Sequence, residues 1–142
     1  MDSQTSVSPI RIMIVDDHPN TARMLARVLS KFDEDVDILT ASSGEDAIER
    51  IGDEGLDILI TDYMMPGMNG LELIEKLSTN QKPTHTILIT AYDTPALASS
   101  AQNMKVTDYL VKPVQPEKIH SLVSEIINQL HKTRKHYLEK TP

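Results

Sequence analysis

Four short runs rich in Ile, Leu and Val each lead into a polar residue able to do chemistry. Ile10 to Val15 leads into Asp16-Asp17, Ile58-Leu59-Ile60 into Thr61-Asp62, Ile87-Leu88-Ile89 into Thr90-Ala91, and Tyr109-Leu110-Val111 into Lys112-Pro113. In an open parallel sheet, ligands bind beyond the carboxyl ends of the strands. If the four runs are such strands, three carboxylates, one hydroxyl and one ammonium converge on one edge. Carboxylates ~4 Å apart repel by ~4 kcal/mol per pair at an effective dielectric near 20. A hard divalent cation relieves that repulsion, and all-oxygen ligation with room for water favours Mg2+. The ammonium adds a fixed positive charge. A carboxylate in that setting, with a hydroxyl donor nearby, suits a nucleophile attacking phosphorus, because the cations offset its repulsion from the phosphoryl oxygens. The product of such an attack is an acyl phosphate on one Asp.

The elements that must position these groups alternate strictly. The four runs are nearly continuous in apolar residues, which suits strands buried on both faces of a parallel sheet. Val36-Asp37-Ile38-Leu39-Thr40 partly alternates and suits an edge strand. Helical spacing lies between the strands. Pro19 suits a first turn ahead of Ala22, Leu25, Ala26, Leu29 and Phe32. Ser43 can cap a helix carrying Ala47, Ile48 and Ile51, with Asp46 in a capping-box-like position. Leu71, Ile74 and Leu77 follow the loop from Pro66 to Gly70. Thr94 and Pro95 precede Leu97, Ala98, Ala101 and Met104. Pro116 opens a last helix with Ile119, Leu122, Val123, Ile126, Ile127 and Leu130. Five β-α pairs imply an α/β doubly wound sheet with helices on both faces.

The last helix is longer than one face of a small sheet needs. Ile119, Val123, Ile126, Leu130, Thr133 and Tyr137 continue a coiled-coil spacing, weakening at Thr133. The organisation expected is therefore a disordered segment at 1–9, one domain at 10–130, and a helical extension or linker at 131–142, with fraying of that tail as the alternative.

Composition narrows the class of function. The 142 residues contain no cysteine, which excludes a disulfide framework, a thiol nucleophile and a cysteine-held metal. No apolar run reaches the ~20 residues of a membrane span, and the polar start lacks the pattern of a secretory signal, so a soluble cytoplasmic protein is expected. Of the net charge of −7, residues 131–142 contribute +3, leaving −10 on the body. An acidic body repels nucleic-acid phosphates.

With these residues in place, the chain from about Arg11 to Leu130 resembles the receiver domain of two-component response regulators. The resemblance rests on Val15-Asp16-Asp17, on the stretch Asp62-Tyr63-Met64-Met65-Pro66-Gly67-Met68-Asn69-Gly70, on Thr90-Ala91, and on Asp108-Tyr109-Leu110-Val111-Lys112-Pro113. It implies a flavodoxin-like five-stranded parallel sheet of order 2-1-3-4-5 with an extended C-terminal helix. It implies Asp62 as phosphoacceptor, with Mg2+ held by Asp17 directly, by Asp16 mostly through water, by Asp62, and by the Met64 backbone carbonyl. Lys112 would pair with the phosphoryl group and Thr90 would hydrogen-bond it. Tyr109 would be the aromatic switch that follows Thr90, and Lys112-Pro113 a cis peptide. The partner implied is a histidine kinase or histidine phosphotransfer protein. A homodimer through the fourth helix, fifth strand and fifth helix would use the extended last helix.

Two departures from the family pattern carry consequences. Lys105-Val106 replaces the frequent Gly-Ala, which costs backbone freedom if the helix end needs a left-handed residue. Met64 and Tyr92, two residues past Asp62 and Thr90, offer no carboxylate or amide to orient water, so slow self-dephosphorylation is expected. Two other readings are open: a phosphate-independent interaction module, and an aspartate-nucleophile phosphatase. The second would want an acid where Met64 stands. Neither G-x-G-x-x-G nor a P-loop is present. The five histidines share no spacing that suggests a site, and His120, His131 and His136 fit exposed helix positions.

Overall fold

The computed structural model describes residues 9–32, 35–79 and 84–140, the side chains of 135–140 excepted. The expected disorder at 1–9 falls, apart from Pro9, outside the described residues, as do the side chains of His136 and Tyr137. Five parallel strands form one sheet in the order β2-β1-β3-β4-β5. They are β1 (Ile10–Val15), β2 (Val36–Ala41), β3 (Ile58–Asp62), β4 (His85–Thr90) and β5 (Asp108–Val111). The helices are α1 (Pro19–Leu29), α2 (Gly44–Ile51), α3 (Gly70–Leu77), α4 (Pro95–Asn103) and α5 (Pro116–Lys140).

Alternation along the strands divides the core in two. Ile10, Ile12, Ile14, Ile58, Ile60, Ile87 and Ile89 pack with Leu25 and Leu29 of α1 and with Ile119, Val123, Ile126 and Ile127 of α5. Met13, Val15, Leu59 and Leu88 face the other way, against Ile51 of α2, Leu73 of α3 and Leu97 of α4. Each fully buried Ile or Leu contributes ~1.5–3 kcal/mol relative to exposure. This double burial explains the near-continuous apolar runs of the central strands. β5 sits at the edge as the order 2-1-3-4-5 implies, but its apolar run lacks the burial expected of it. Its residues are half-buried, and Val111 is 43% exposed.

Local signals set where helices begin. Ser43 Oγ accepts the Asp46 N–H at 3.0 Å, and Thr94 Oγ1 accepts the Leu97 N–H at 3.1 Å. Asn69 and Glu72 form a full reciprocal capping box at α3, both bonds 2.9 Å long. At Ser43 the box is incomplete, because the Asp46 carboxylate reaches the Ser42 N–H at 3.4 Å. Phe32 lies past the end of α1 and stacks on His120, ring centroids 4.2 Å apart, so His120 is half-buried and not at a free helix position. Lys105 takes φ 59° after α4, the left-handed turn that the missing glycine would have eased by ~1–2 kcal/mol. The Lys112-Pro113 peptide is cis.

α5 continues without a break to Lys140. The first four positions of its coiled-coil spacing, Ile119, Val123, Ile126 and Leu130, pack into the domain's own core. Thr133 is exposed.

Candidate functional site

The parallel sheet brings its carboxyl ends together, and the chain register decides which side chains meet. Val15 pairs with Thr61 in β3, and Asp62 pairs with Ile89 in β4. Asp16-Asp17 therefore emerges beside Asp62. Thr90 pairs with Val111, so Lys112 emerges from the neighbouring edge strand. Gly70 closes the far side. A Cβ there would collide with the Asp62 carbonyl oxygen and press on the Tyr63 Cα, so α3 can start this close to β3 only with glycine. Its N–H donates to the Tyr63 carbonyl at 2.8 Å. Gly67, at φ 79°, turns the loop between Asp62 and α3.

Lys112 Nζ donates to Asp62 Oδ2 at 3.2 Å and lies 3.8 Å from Asp16 Oδ2. Asp16 Oδ1 accepts the His18 N–H at 2.8 Å and faces His18 Nδ1 at 3.2 Å. Asp16 and Asp62 are buried, while Asp17 and Lys112 are half-buried. One ammonium thus meets two of the three carboxylates. Burial pushes the Asp62 carboxyl above the usual aspartate range. Lys112 opposes that rise through hydrogen bond and charge, and the charges of Asp16 and Asp17 add to it.

The acidic cluster fits a hard cation. Ligand atoms of Asp16, Asp17, His18 and Asp62 all lie within 4.8 Å of one another. Asp17 Oδ1 is shut off from solvent yet accepts no hydrogen bond among the described residues. His18 Nδ1 is 3.3 Å from it, without the geometry of a hydrogen bond. A buried carboxylate oxygen without a donor is costly, and a coordinated cation would satisfy it. The donor set is mainly carboxylate oxygen, the chemistry that suits Mg2+.

The remaining expected residues divide. Met64 is half exposed and lines an open cavity of about 430 Å³ with Asp17, His18, Asp62, Tyr92 and Lys112. Thr90 is buried, but its Oγ1 accepts the Tyr92 N–H at 2.8 Å rather than meeting Asp62. Tyr109 points away from the cluster, and its hydroxyl donates to Asp93 Oδ1 at 3.0 Å. Burial first, and donation to Asp93 second, hold the Tyr109 phenol above its usual range. Sequence reasoning missed His18, which the structure places within the acidic cluster. Its adjacency to Asp16-Asp17 was the available signal, not histidine spacing.

Comparison with known proteins settles the family. Residues 12–124 match the model of the response regulator receiver domain. The chain belongs to this family. Receivers are signalling domains of two-component systems rather than enzymes in the usual sense. This receiver is 30% identical over 121 residues to a chemotaxis protein CheY homolog of Campylobacter jejuni, covering 83% of this chain and 92% of that one. It is 30% identical over 112 residues to the transcriptional regulatory protein TrcR of Mycobacterium tuberculosis, covering 79% of this chain and 43% of the relative. It spans about half the length of the curated transcriptional regulators it matches. Among solved structures, the CheY-like receiver domain protein of Methanospirillum hungatei superposes with a TM-score of 0.78 at 25% identity, over 89% of this chain and 99% of that one. Among the described residues of this receiver, no helix is long and apolar enough to cross a membrane.

Proposed function

We propose that this receiver accepts a phosphoryl group on Asp62 from the phosphohistidine of a histidine kinase or histidine phosphotransfer protein. The carrying observation is the meeting of Asp62 with Asp16, Asp17 and Lys112 at one sheet edge. A carboxylate oxygen of Asp62 attacks phosphorus, the P–N bond breaks, and the imidazole leaves and takes up a proton. Lys112 already sits on the Asp62 carboxylate and carries positive charge toward the transferred group. The Thr90 hydroxyl keeps its proton free to donate while its oxygen accepts from Tyr92. Asp17, Asp16, Asp62 and the Met64 carbonyl would hold Mg2+, which when bound neutralises charge between nucleophile and phosphoryl oxygens.

Phosphorylation adds about −1.5 to −2 charge beside Lys112 and Thr90. Their response shifts a two-state equilibrium in which Tyr109 turns inward, and the change is read on the surface of α4, β5 and α5. Homodimerisation through that face, carried onward by the α5 extension, is the proposed output. The partner class is supported by the 30% identity over 115 residues to part of the signal transduction histidine-protein kinase BarA of Escherichia coli.

The test is beryllofluoride, which mimics the phosphoryl group, added with Mg2+ to the wild type and to Asp62→Asn. The wild type should bind with a change in tyrosine fluorescence, and Asp62→Asn should lose all response. A wild type that ignores both beryllofluoride and acetyl phosphate overturns the proposal. Met64 and Tyr92 place a thioether and a phenol at the cavity, 50% and 56% exposed, so the acyl phosphate should persist well beyond seconds.

A further inference from the structure

We propose that Asp93 is a positioning residue that holds Tyr109 outward, and so sets the fraction of molecules ready to accept phosphate. The proposal rests on the reading of Asp62 as acceptor and Tyr109 as its responding aromatic. Tyr109 pairs with Leu88 across the β4–β5 ladder, and its ring packs partly against the core on the α2, α3 and α4 side. Its hydroxyl extends past that core to Asp93 Oδ1 at 3.0 Å, sixteen residues away in sequence. A carboxylate acceptor makes the bond charge-assisted and stronger than a neutral one.

The acceptor is held ready. Asp93 lies in the four-residue turn between β4 and α4, and both flanks of that turn are fixed. Thr90 Oγ1 takes the Tyr92 N–H on one side, and Thr94 Oγ1 takes the Leu97 N–H on the other. Little conformational freedom remains to be lost when Asp93 receives the phenol. The turn also contains Thr90's immediate neighbours, so a move of Thr90 toward a phosphoryl group acts on the segment that carries the latch. Swinging Tyr109 inward breaks the bond and leaves the exposed Asp93 carboxylate to water alone. The latch therefore opposes activation, and its removal raises the inward population.

A ligand that binds only the inward form binds in proportion to its population. Removing the latch should tighten Mg2+-dependent beryllofluoride binding about fivefold, equal to about 1 kcal/mol at 1.4 kcal/mol per decade. The experiment compares the full chain with Asp93→Ala, Asp93→Asn, Tyr109→Phe and the Asp93→Ala/Tyr109→Phe double variant. Asp93→Ala and Tyr109→Phe should each bind about fivefold tighter, and the double variant no tighter than either. Asp93→Asn keeps an acceptor oxygen but loses the charge near the start of α4, and it should stay within about twofold of the wild type. That variant separates a hydrogen bond from a helix-dipole effect.

A second readout needs no phosphate mimic. Ring-labelled tyrosine spectra of the free protein should show more inward Tyr109 in Asp93→Ala than in the wild type. If Asp93→Ala matches the wild type in affinity and in ring population, or if the two single changes add in the double variant, the latch is overturned while Asp62 remains the acceptor. If the wild type does not respond to beryllofluoride, the acceptor reading falls and the latch falls with it.

Discussion

β3 has a buried aspartate at each end, and the two are treated in opposite ways. Asp57, immediately before the strand, is 2% exposed; Asp62, its last residue, is 5% exposed. At the amino end the Asp57 carboxylate accepts the Arg11 N–H at 2.8 Å and lies 3.7 Å from the Arg134 guanidinium. Arg11 is itself tied down, donating to the carbonyls of Ile51 at 3.2 Å and Gly55 at 2.7 Å. At the carboxyl end one lysine serves two of three carboxylates, and an Asp17 oxygen is left without a donor among the described residues. Burial of an acid therefore does not mark function on its own. What marks it is whether the surroundings neutralise the acid or leave that to something bound from outside.

The largest effect separating the two ends is on stability. Asp57→Ala leaves the buried Arg11 backbone N–H without its acceptor and Arg134 without its acid, and an unsatisfied buried donor costs about 1–3 kcal/mol. Urea unfolding should show that loss, while beryllofluoride affinity of the remaining folded protein stays at the wild-type level. A cost below about 1 kcal/mol would break the comparison, because Asp57 would then be no more than a surface acid.

Next in size is the response to metal. Mg2+ at ten times its dissociation constant should stabilise the wild type by about 1.4 kcal/mol through linkage. Asp17→Asn should lose most of that gain, since it weakens the acid whose Oδ1 is otherwise unsatisfied. An equal gain in Asp17→Asn would place the ion elsewhere.

Asp62→Asn should behave opposite to Asp57→Ala. Without Mg2+ at pH 7 it should be more stable than the wild type by about 1 kcal/mol, a fraction of the repulsion expected between carboxylates ~4 Å apart. The sign follows from the raised Asp62 pKa. The ionised carboxylate is disfavoured in the folded state, so it costs stability above the raised folded value. That cost is relieved as pH falls toward the unfolded value of 3.8. The advantage of Asp62→Asn should therefore be full at pH 7, shrink through that window, and vanish below about pH 4. Thermal melts across pH test it, and an advantage that grows in acid would reverse the assignment.

These contrasts also show what was legible in the residues. Strand identity and the convergence of Asp16, Asp17, Asp62 and Lys112 follow from apolar runs that stop at polar residues, because a parallel sheet aligns its strand ends. The starts of α2 and α4 were legible in Ser43 and Thr94. The box at Asn69 and Glu72 has an equally local pattern, but Asn69 lies within the loop from Pro66 to Gly70, whose Pro and Gly read as turn residues. The apolar run of β5 did not reveal its exposure, because such a run looks the same at an edge as in the centre; only the order 2-1-3-4-5 that the resemblance implies puts it at the edge. Contacts that depend on tertiary placement were out of reach. Tyr109 meets Asp93 across a turn, and Arg134 meets Asp57 from the far end of the chain. No periodicity encodes either.

The smallest effect tests how the amino end is shared. Arg134 lies beyond Leu130, in the part of α5 expected to be a helical extension or linker, and its half-buried side chain reaches the buried Asp57. If Arg134 carried most of the partnership and Arg11 little, Arg134→Ala would cost nearly as much as Asp57→Ala. Arg11, however, holds the carboxylate through a backbone hydrogen bond in the sheet, which Arg134→Ala leaves intact. Asp57 therefore stays partnered, and the loss should approach that of an exposed pair, about 0.5–1 kcal/mol. The same change should speed amide exchange from about residue 131 onward, because the extension loses an anchor to the body, while amides at Ile119 to Ile127 exchange as before. Unchanged exchange in the extension would mean that α5 is held by its packing alone, and that Asp57 serves the sheet and not the helix.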